Sequence, residues 1–190
     1  MPQHEPVIQT PRLELHHISA PDLITLFEDR DDAPAISGRG FSNPLRVLID
    51  FQGPLAWRVP QVKADPACNK WFVRWIVLKE KQEVIGSTSF HGAPDSQGML
   101  EIGLGIESEY QKQGLAKEAL LGMWRWALTF PAVQTFRYTV SPDNLASIAV
   151  INYFGFEFKV SEKIIKSIIG SEIVESILDW IESDYTKGSN

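Results

Sequence analysis

The segment Gln111-Lys112-Gln113-Gly114-Leu115-Ala116 has the composition of an anion site. It follows a strand-like run and opens a long helical pattern. A helix start leaves several backbone N–H groups without intrahelical partners, and the aligned peptide dipoles add positive potential there, so a phosphate can be held largely by main chain. Gly114, with no Cβ, lets a ligand approach the backbone closely. Lys112 and Lys117 either add charge toward the phosphates or belong to an ordinary solvated helix face. Taken alone, Gly114 reads as a plain turn glycine, and the surrounding elements decide the matter.

Those elements are legible along most of the chain. Residues 12–18 alternate apolar and polar side chains as a half-buried strand does. Ser19 suits an N-cap, Pro21 and Asp22 a first turn, and Leu23, Ile24, Leu26 and Phe27 cluster on one helical face. Residues 30–70, rich in turn formers and pre-proline positions, read as short helices and loops. Residues 71–78 form a strand that turns through 79–83 into a second, 84–91, as a hairpin. Residues 92–98 make a turn, and 99–106 add a third strand to the meander. From Gly114 to about Phe130, Leu115, Ala119, Leu120, Met123, Trp124 and Ala127 recur at helical spacing until Pro131 stops the pattern. A strand at 136–140 turns at Ser141-Pro142-Asp143-Asn144 into a helix running to about Phe154, with Gly155 in the C-cap place. Residues 156–160 and 173–181 read as last strands joined through Gly170, and the tail from Lys187 frays.

The 190 residues carry no internal repeat or linker, so one domain spanning 1–190 is expected. Ten Phe, six Trp and four Tyr give enough apolar bulk that neither disulfides nor a structural metal is needed. The net charge of -6 and a pI near 5.2 argue against a nucleic-acid partner. The absence of a signal-like start or long apolar run argues for a soluble cytoplasmic protein with no membrane partner. The single cysteine, Cys68, lies in a loop-like stretch without a base motif, and the four histidines lack metal-ligand spacing.

Gln111-x-x-Gly114-x-Ala116 matches the Gln/Arg-x-x-Gly-x-Gly/Ala signature of the GCN5-related N-acetyltransferases (GNAT), and the chain resembles that family from about residue 10 to 182. The opening Thr10-Pro11-Arg12-Leu13-Glu14-Leu15, the Glu101-Ile102-Gly103 strand and Asn144-x-x-Ser147 with Gly155-Phe156 are similar to its subgroup of ribosomal-protein N-terminal acetyltransferases. The resemblance implies an α/β (α+β) fold. Its sheet would be mixed, mostly antiparallel and twisted, splayed between the fourth and fifth strands, here 99–106 and 136–140, and flanked by helices. It implies acetyl-coenzyme A as cosubstrate, with backbone around Leu104 and Ile106 meeting the pantetheine arm and residues from Gln111 through Lys112, Gln113, Gly114 and Leu115 to Ala116 holding the pyrophosphate. Asn144 caps its helix and is expected beside the cofactor.

Acetyl transfer requires the acceptor amine to lose a proton. Strand alternation puts Glu101, Gly103, Gly105 and Glu107 on one face and Leu100, Ile102, Leu104 and Ile106 on the other. Glu101, beside two glycines, is therefore the first candidate base, unless it merely faces solvent; Glu107 and His91 rank behind it. Many family members place a tyrosine four residues before the glycine matching Gly155 to assist the leaving thiolate. Here that position is Ile151. Tyr153 lies about 200° around the helix from it, whereas Ser147 shares its face and becomes the expected donor. Phe41, Phe51, Trp57 and Arg58 are candidates for the acceptor wall or simply cover the sheet.

The sequence offers no phosphate-binding Gly-x-x-x-x-Gly-Lys loop and no nucleophile elbow, and Gly103-x-Gly105-x-x-Ser108 only approaches a dinucleotide fingerprint. The expected function is direct transfer of an acetyl group to a primary amine, on a protein N-terminus or a small molecule, in a ternary complex. The alternative is a non-catalytic acyl-coenzyme A-binding regulatory protein. Whether the chain acts alone or as a homodimer is not legible.

Overall fold

The structure is a computed structural model that describes residues 4–154, 158–160 and 165–170. The chain folds as two compact units, residues 1–93 with 103–119, and residues 94–102 with 120–190.

In the first unit the strands follow the order β1 (Ile8–Gln9), β2 (Leu13–His17), β3 (Arg74–Leu78), β4 (Glu83–Phe90) and the second half of β5 (Met99–Ile106). The pairs β1–β2, β2–β3 and β3–β4 are antiparallel. Helix α1 (Ala20–Glu28) starts as its sequence dictates: the Ser19 hydroxyl accepts from the Asp22 N–H and donates to the Asp22 carboxylate at 2.6 Å, and Pro21 occupies the first turn. Its Leu23 and Leu26 are buried against the core. Helices α2 (Ala33–Ile36) and α3 (Leu55–Ala64) fill the region expected to hold short helices and loops. The expected strand at 71–78 begins only at Arg74, because Asp65 caps a 3-10 helix over Pro66–Trp71 by accepting from the Ala67 N–H. A local cap followed by proline outweighs the strand preference of an aromatic pair. Arg74, Trp75, Ile76 and Val77 are then all buried, the pattern of a strand covered on both faces.

His17 ends β2 inside this core, 1% exposed. Its Nδ1 accepts from the Glu5 N–H at 3.1 Å, which leaves the proton on Nε2 to donate to the Asn69 carbonyl at 3.0 Å. The imidazole is thus held neutral, and burial pushes its pKa from 6.5 down to about 4, against the opposing pull of the Asn69 carbonyl. The unfolded chain takes up this proton below pH 6.5 and the folded chain resists until about pH 4. Between those values the unfolded state holds more protons, so stability is complete above pH 6.5 and declines as pH falls. Urea titrations at pH 7 and pH 5 should differ by roughly 2 kcal/mol on this account. A His17→Gln chain that retained the full difference would count against it.

In the second unit the order is the first half of β5, β6 (Thr135–Val140), β8 (Ile165–Gly170) and β7 (Phe158–Val160), with helix α5 (Leu145–Tyr153). Helix α4 (Leu115–Leu128) gives its residues up to Ala119 to the first unit and the rest to the second. β5 and β6 are parallel, which demands a crossover, and α4 supplies it. Their pairing joins residues 99–102 to 135–138, and β5 then runs on to Ile106; the sheet is mixed, mostly antiparallel and open. Phe136, Tyr138 and Val140 alternate into the core, where Trp124 packs on Phe136 with ring centroids 5.4 Å apart.

β7 lies within the strand expected at 156–160, whereas the next strand differs from expectation. Gly170, read as part of a connection, ends β8 and pairs with Thr135. Lys166 and Ser167 break the apolar run, and antiparallel pairing with β6 makes the strand regardless of local pattern. The expected strand at 173–181 and the C-cap at Gly155 lie outside the described residues. Among the described residues no helix is long and apolar enough to cross a membrane.

Candidate active site

Beyond β5 the chain is pinned before it reaches the glycine turn. The Glu107 N–H donates to the Ile85 carbonyl, and a 3-10 turn at Ser108–Tyr110 buries Tyr110. The Tyr110 hydroxyl accepts from Lys81 Nζ at 3.0 Å and donates to Glu83 at 3.4 Å. Gln111 donates its side-chain amide to the Ile106 carbonyl at 2.8 Å, so in this structure it ties the turn to the end of β5. Lys112 and Gly114 both take left-handed backbone, with φ of 61° and 79°. Helix α4 follows, and the Gly114 carbonyl accepts from the Glu118 N–H. The amides of Leu115 and Ala116 therefore occupy the first turn, where no residue four earlier in the helix can accept from them.

A Cβ built on Gly114 would lie 3.5 Å from Arg12 Nη2 and 3.9 Å from Lys117 Cε. Two cationic side chains thus flank the space over this glycine, at a helix N-terminus. Those residues fit the pyrophosphate of coenzyme A: charge, the amides of a helix start and a missing side chain coincide. Arg12 reaches this place from the start of β2. Its Nε donates to Glu118 Oε2 at 2.7 Å, its backbone N–H donates to Glu118 Oε1 at 2.7 Å, and its Nη1 donates to the Gln113 carbonyl at 2.9 Å. The Thr10 hydroxyl donates to Glu118 Oε1 at 2.6 Å.

A cavity of about 480 Å³ lies within the first unit. One side comes from strand residues 87–89 and 103–106, including Leu104 and Ile106, with His91 and Glu107 just beyond the strand ends; the other comes from residues 45–48, 50, 51, 54 and 58. Arg46 and Leu48 on the second wall are left-handed, with φ of 53° and 66°. Such backbone costs on the order of 1–3 kcal/mol per residue and persists only when its surroundings impose it. Asn43 imposes it here by donating to the Val47 carbonyl and the Asp32 carboxylate and accepting from the Val47 N–H. Phe51, 82% exposed, and Arg58, 6% exposed, line the cavity. Trp57 is 73% exposed and does not line it. Phe41 covers the sheet instead, packed on His16 and Trp75.

Among the other base candidates, Glu107 and His91 both line the cavity. The imidazole lies against Gly103, where a Cβ would stand 3.0 Å from its Nε2. Glu101 belongs to the second unit, and its neighbour in the parallel register is Arg137. In-register residues project to the same side, so the Arg137 Nε donates to Glu101 Oε2 at 2.6 Å. Asn144 caps α5 by accepting from the Ser147 N–H at 3.0 Å. Burial raises the pKa of the Tyr138 phenol, and the nearby Ser147 partly offsets the rise. Sequence reasoning passed over Tyr138. The available signal was a tyrosine on the buried face of a strand, whose hydroxyl needs a partner. Among the described residues no group of three or more His, Cys, Asp or Glu side chains can hold a metal.

The family described as "Acetyltransferase (GNAT) domain" matches residues 12–157. The uncharacterized N-acetyltransferase YjdG of Bacillus subtilis (strain 168) is 34% identical over 152 residues, covering 79% of this chain and 89% of that protein. Among solved structures, a GNAT-family acetyltransferase from Bacillus anthracis aligns with a TM-score of 0.56 at 16% identity, covering 88% of this chain and 99% of that one. The ribosomal L7/L12 alpha-N-protein acetyltransferase RimL, in complex with coenzyme A, aligns with a TM-score of 0.57 at 15% identity, covering 86% and 97%. At such identities the structural likeness speaks for the fold.

Proposed function

Because the chain belongs to the GNAT acetyltransferase family and so is an acetyl-coenzyme A-dependent acyltransferase acting on amines, we propose that it acetylates a primary amine by direct transfer in a ternary complex. The acceptor is a protein N-terminus or a small amine seated against residues 45–54. The observation that carries the reading is the braced glycine turn at the start of α4, which directly follows the strand lining the cavity. The family match takes in residues of both compact units, which supports one catalytic domain.

Acetyl-coenzyme A supplies the acetyl group as a thioester. The amides from Gln113 to Ala116 hold its pyrophosphate, with Lys112 and Lys117 adding charge, while main chain at Leu104 and Ile106 aligns its arm. Asn144 completes the cofactor side. Glu101, its carboxylate oriented by Arg137, takes the proton from the amine directly or through water. Ser147 Oγ donates a hydrogen bond to the leaving sulfur. Direct transfer also agrees with Cys68, whose thiol donates to the Asp65 carbonyl and whose pKa is raised by burial and by Asp65, which disfavours a nucleophilic thiolate.

Thiol release from acetyl-coenzyme A with a panel of peptides and small amines tests this. Glu101→Gln should lower kcat about 100-fold, the usual worth of a general base. Ser147→Ala should lower it about 10-fold, as for a single hydrogen bond to developing charge. A Glu101→Gln enzyme with undiminished kcat would move the base to the cavity groups His91 or Glu107. Coenzyme A binding without release for any amine would return the reading to a binding protein.

A further inference from the structure

We infer that Arg12 is a positioning residue for the cofactor's pyrophosphate, acting through the Gln113 carbonyl and the Glu118 carboxylate; this rests on the cofactor reading proposed above. The turn at 111–114 contains two left-handed residues, and for Lys112 that backbone is intrinsically unfavourable, so the turn needs an outside restraint. Arg12 Nη1 supplies it by holding the Gln113 carbonyl at 2.9 Å. In a trans peptide the carbonyl and the following N–H point in opposite directions. Holding that carbonyl toward β2 therefore aims the Gly114 N–H away from β2.

The second task concerns charge. Glu118 sits on the first turn of α4, where an uncompensated carboxylate would repel a phosphate. Its oxygens instead receive the Thr10 hydroxyl, the Arg12 N–H and the Arg12 Nε. The remaining nitrogen, Arg12 Nη2, is the one near the open space over Gly114. One side chain thus fixes the turn, neutralises the carboxylate and presents positive charge to the ligand. This gives the opening Thr10-Pro11-Arg12 a physical role more than 100 residues along the chain from where it sits.

The test compares acetyl-coenzyme A with the S-acetate of N-acetylcysteamine, a short thioester without the pyrophosphate, in the wild type, Arg12→Ala, Arg12→Lys and Glu118→Gln. In Arg12→Ala the Kd for coenzyme A should rise about 10-fold to 100-fold, the worth of charge-assisted bonds lost, and the kcat/KM preference for acetyl-coenzyme A over the short thioester should fall by the same factor. Arg12→Lys should restore only part of the affinity, because an ammonium cannot span Gln113 and Glu118 together. Unchanged coenzyme A affinity in Arg12→Ala overturns the inference. So does an equal loss with both thioesters, the mark of a general structural lesion. A wild type without affinity for coenzyme A would bring down the cofactor reading as well, whereas the first two outcomes leave that reading standing.

Discussion

A chain carrying Gly86→Ala is expected to melt about 10 °C below the wild type and to lose coenzyme A affinity with it. A Cβ at position 86 would stand 2.2 Å from the Gly105 carbonyl oxygen and 3.1 Å from the Ile106 Cα. Both are backbone atoms, so no rotamer change relieves the overlap and β5 must move. Overpacking of this kind costs about 3 kcal/mol or more, and a domain of this size loses roughly 2–4 °C per kcal/mol. The glycine follows the irregularity by which β3 pairs Ile76 with Gly86 but Val77 with Val84, which leaves little slack in the local register. Displacing β5 also displaces the cavity wall, since Gly105 and Ile106 line it. Thermal denaturation followed by circular dichroism reads the first effect and calorimetric titration the second. Gly92→Ala is the control, because a Cβ there meets nothing within 4 Å. Equal melting temperatures for the two variants would show that β5 yields without cost.

Gly114→Val should weaken coenzyme A binding by about 100-fold or more while the chain stays folded. With φ at 79°, the position tolerates a β-branched residue only at a cost of about 1–2 kcal/mol or more. The added methyls also enter the space beside Arg12 and Lys117 that a phosphate would occupy. Gly114→Ala should be milder, since its Cβ makes ordinary van der Waals contacts with both side chains. Ligand-induced thermal stabilisation gives a second readout, because a ligand raises stability by RT ln(1 + [L]/Kd). Wild-type stabilisation of Gly114→Val by coenzyme A would remove the pyrophosphate from this turn.

Much of the architecture was legible because its signals are local. Ser19 and Pro21 announce α1, the turn formers between Gly92 and Gly98 lead into β5 at Met99, and the periodicity from Leu115 to Ala127 yields α4. The failures arose where a partner distant in sequence decides. The alternation of β5 set Glu101 beside two glycines, of which Gly105 faces open space and Gly103 faces His91, yet nothing local shows that Arg137 reaches the carboxylate from 36 residues away. Arg12 could be quoted as part of a motif, but its grip on Gln113 and Glu118 depends on how β2 and α4 pack. β8 escaped detection because pairing with β6, not its own pattern, makes it a strand. Trp71 was lost to a strand for the opposite reason, a short-range cap at Asp65 that the aromatic content concealed.

The exposure of Trp57 has an optical consequence. An indole in water emits to the red of one packed among side chains, and a small dissolved quencher reaches only the former. Trp57 stands 73% exposed on α3 beside the cavity residue Arg58, whereas Trp71, Trp75 and Trp124 are buried. Trp57 therefore adds red, quenchable emission from the α3 surface while Trp71, Trp75 and Trp124 add protected emission, and the difference between the wild type and Trp57→Phe isolates an unlabelled fluorescent probe next to the candidate acceptor wall.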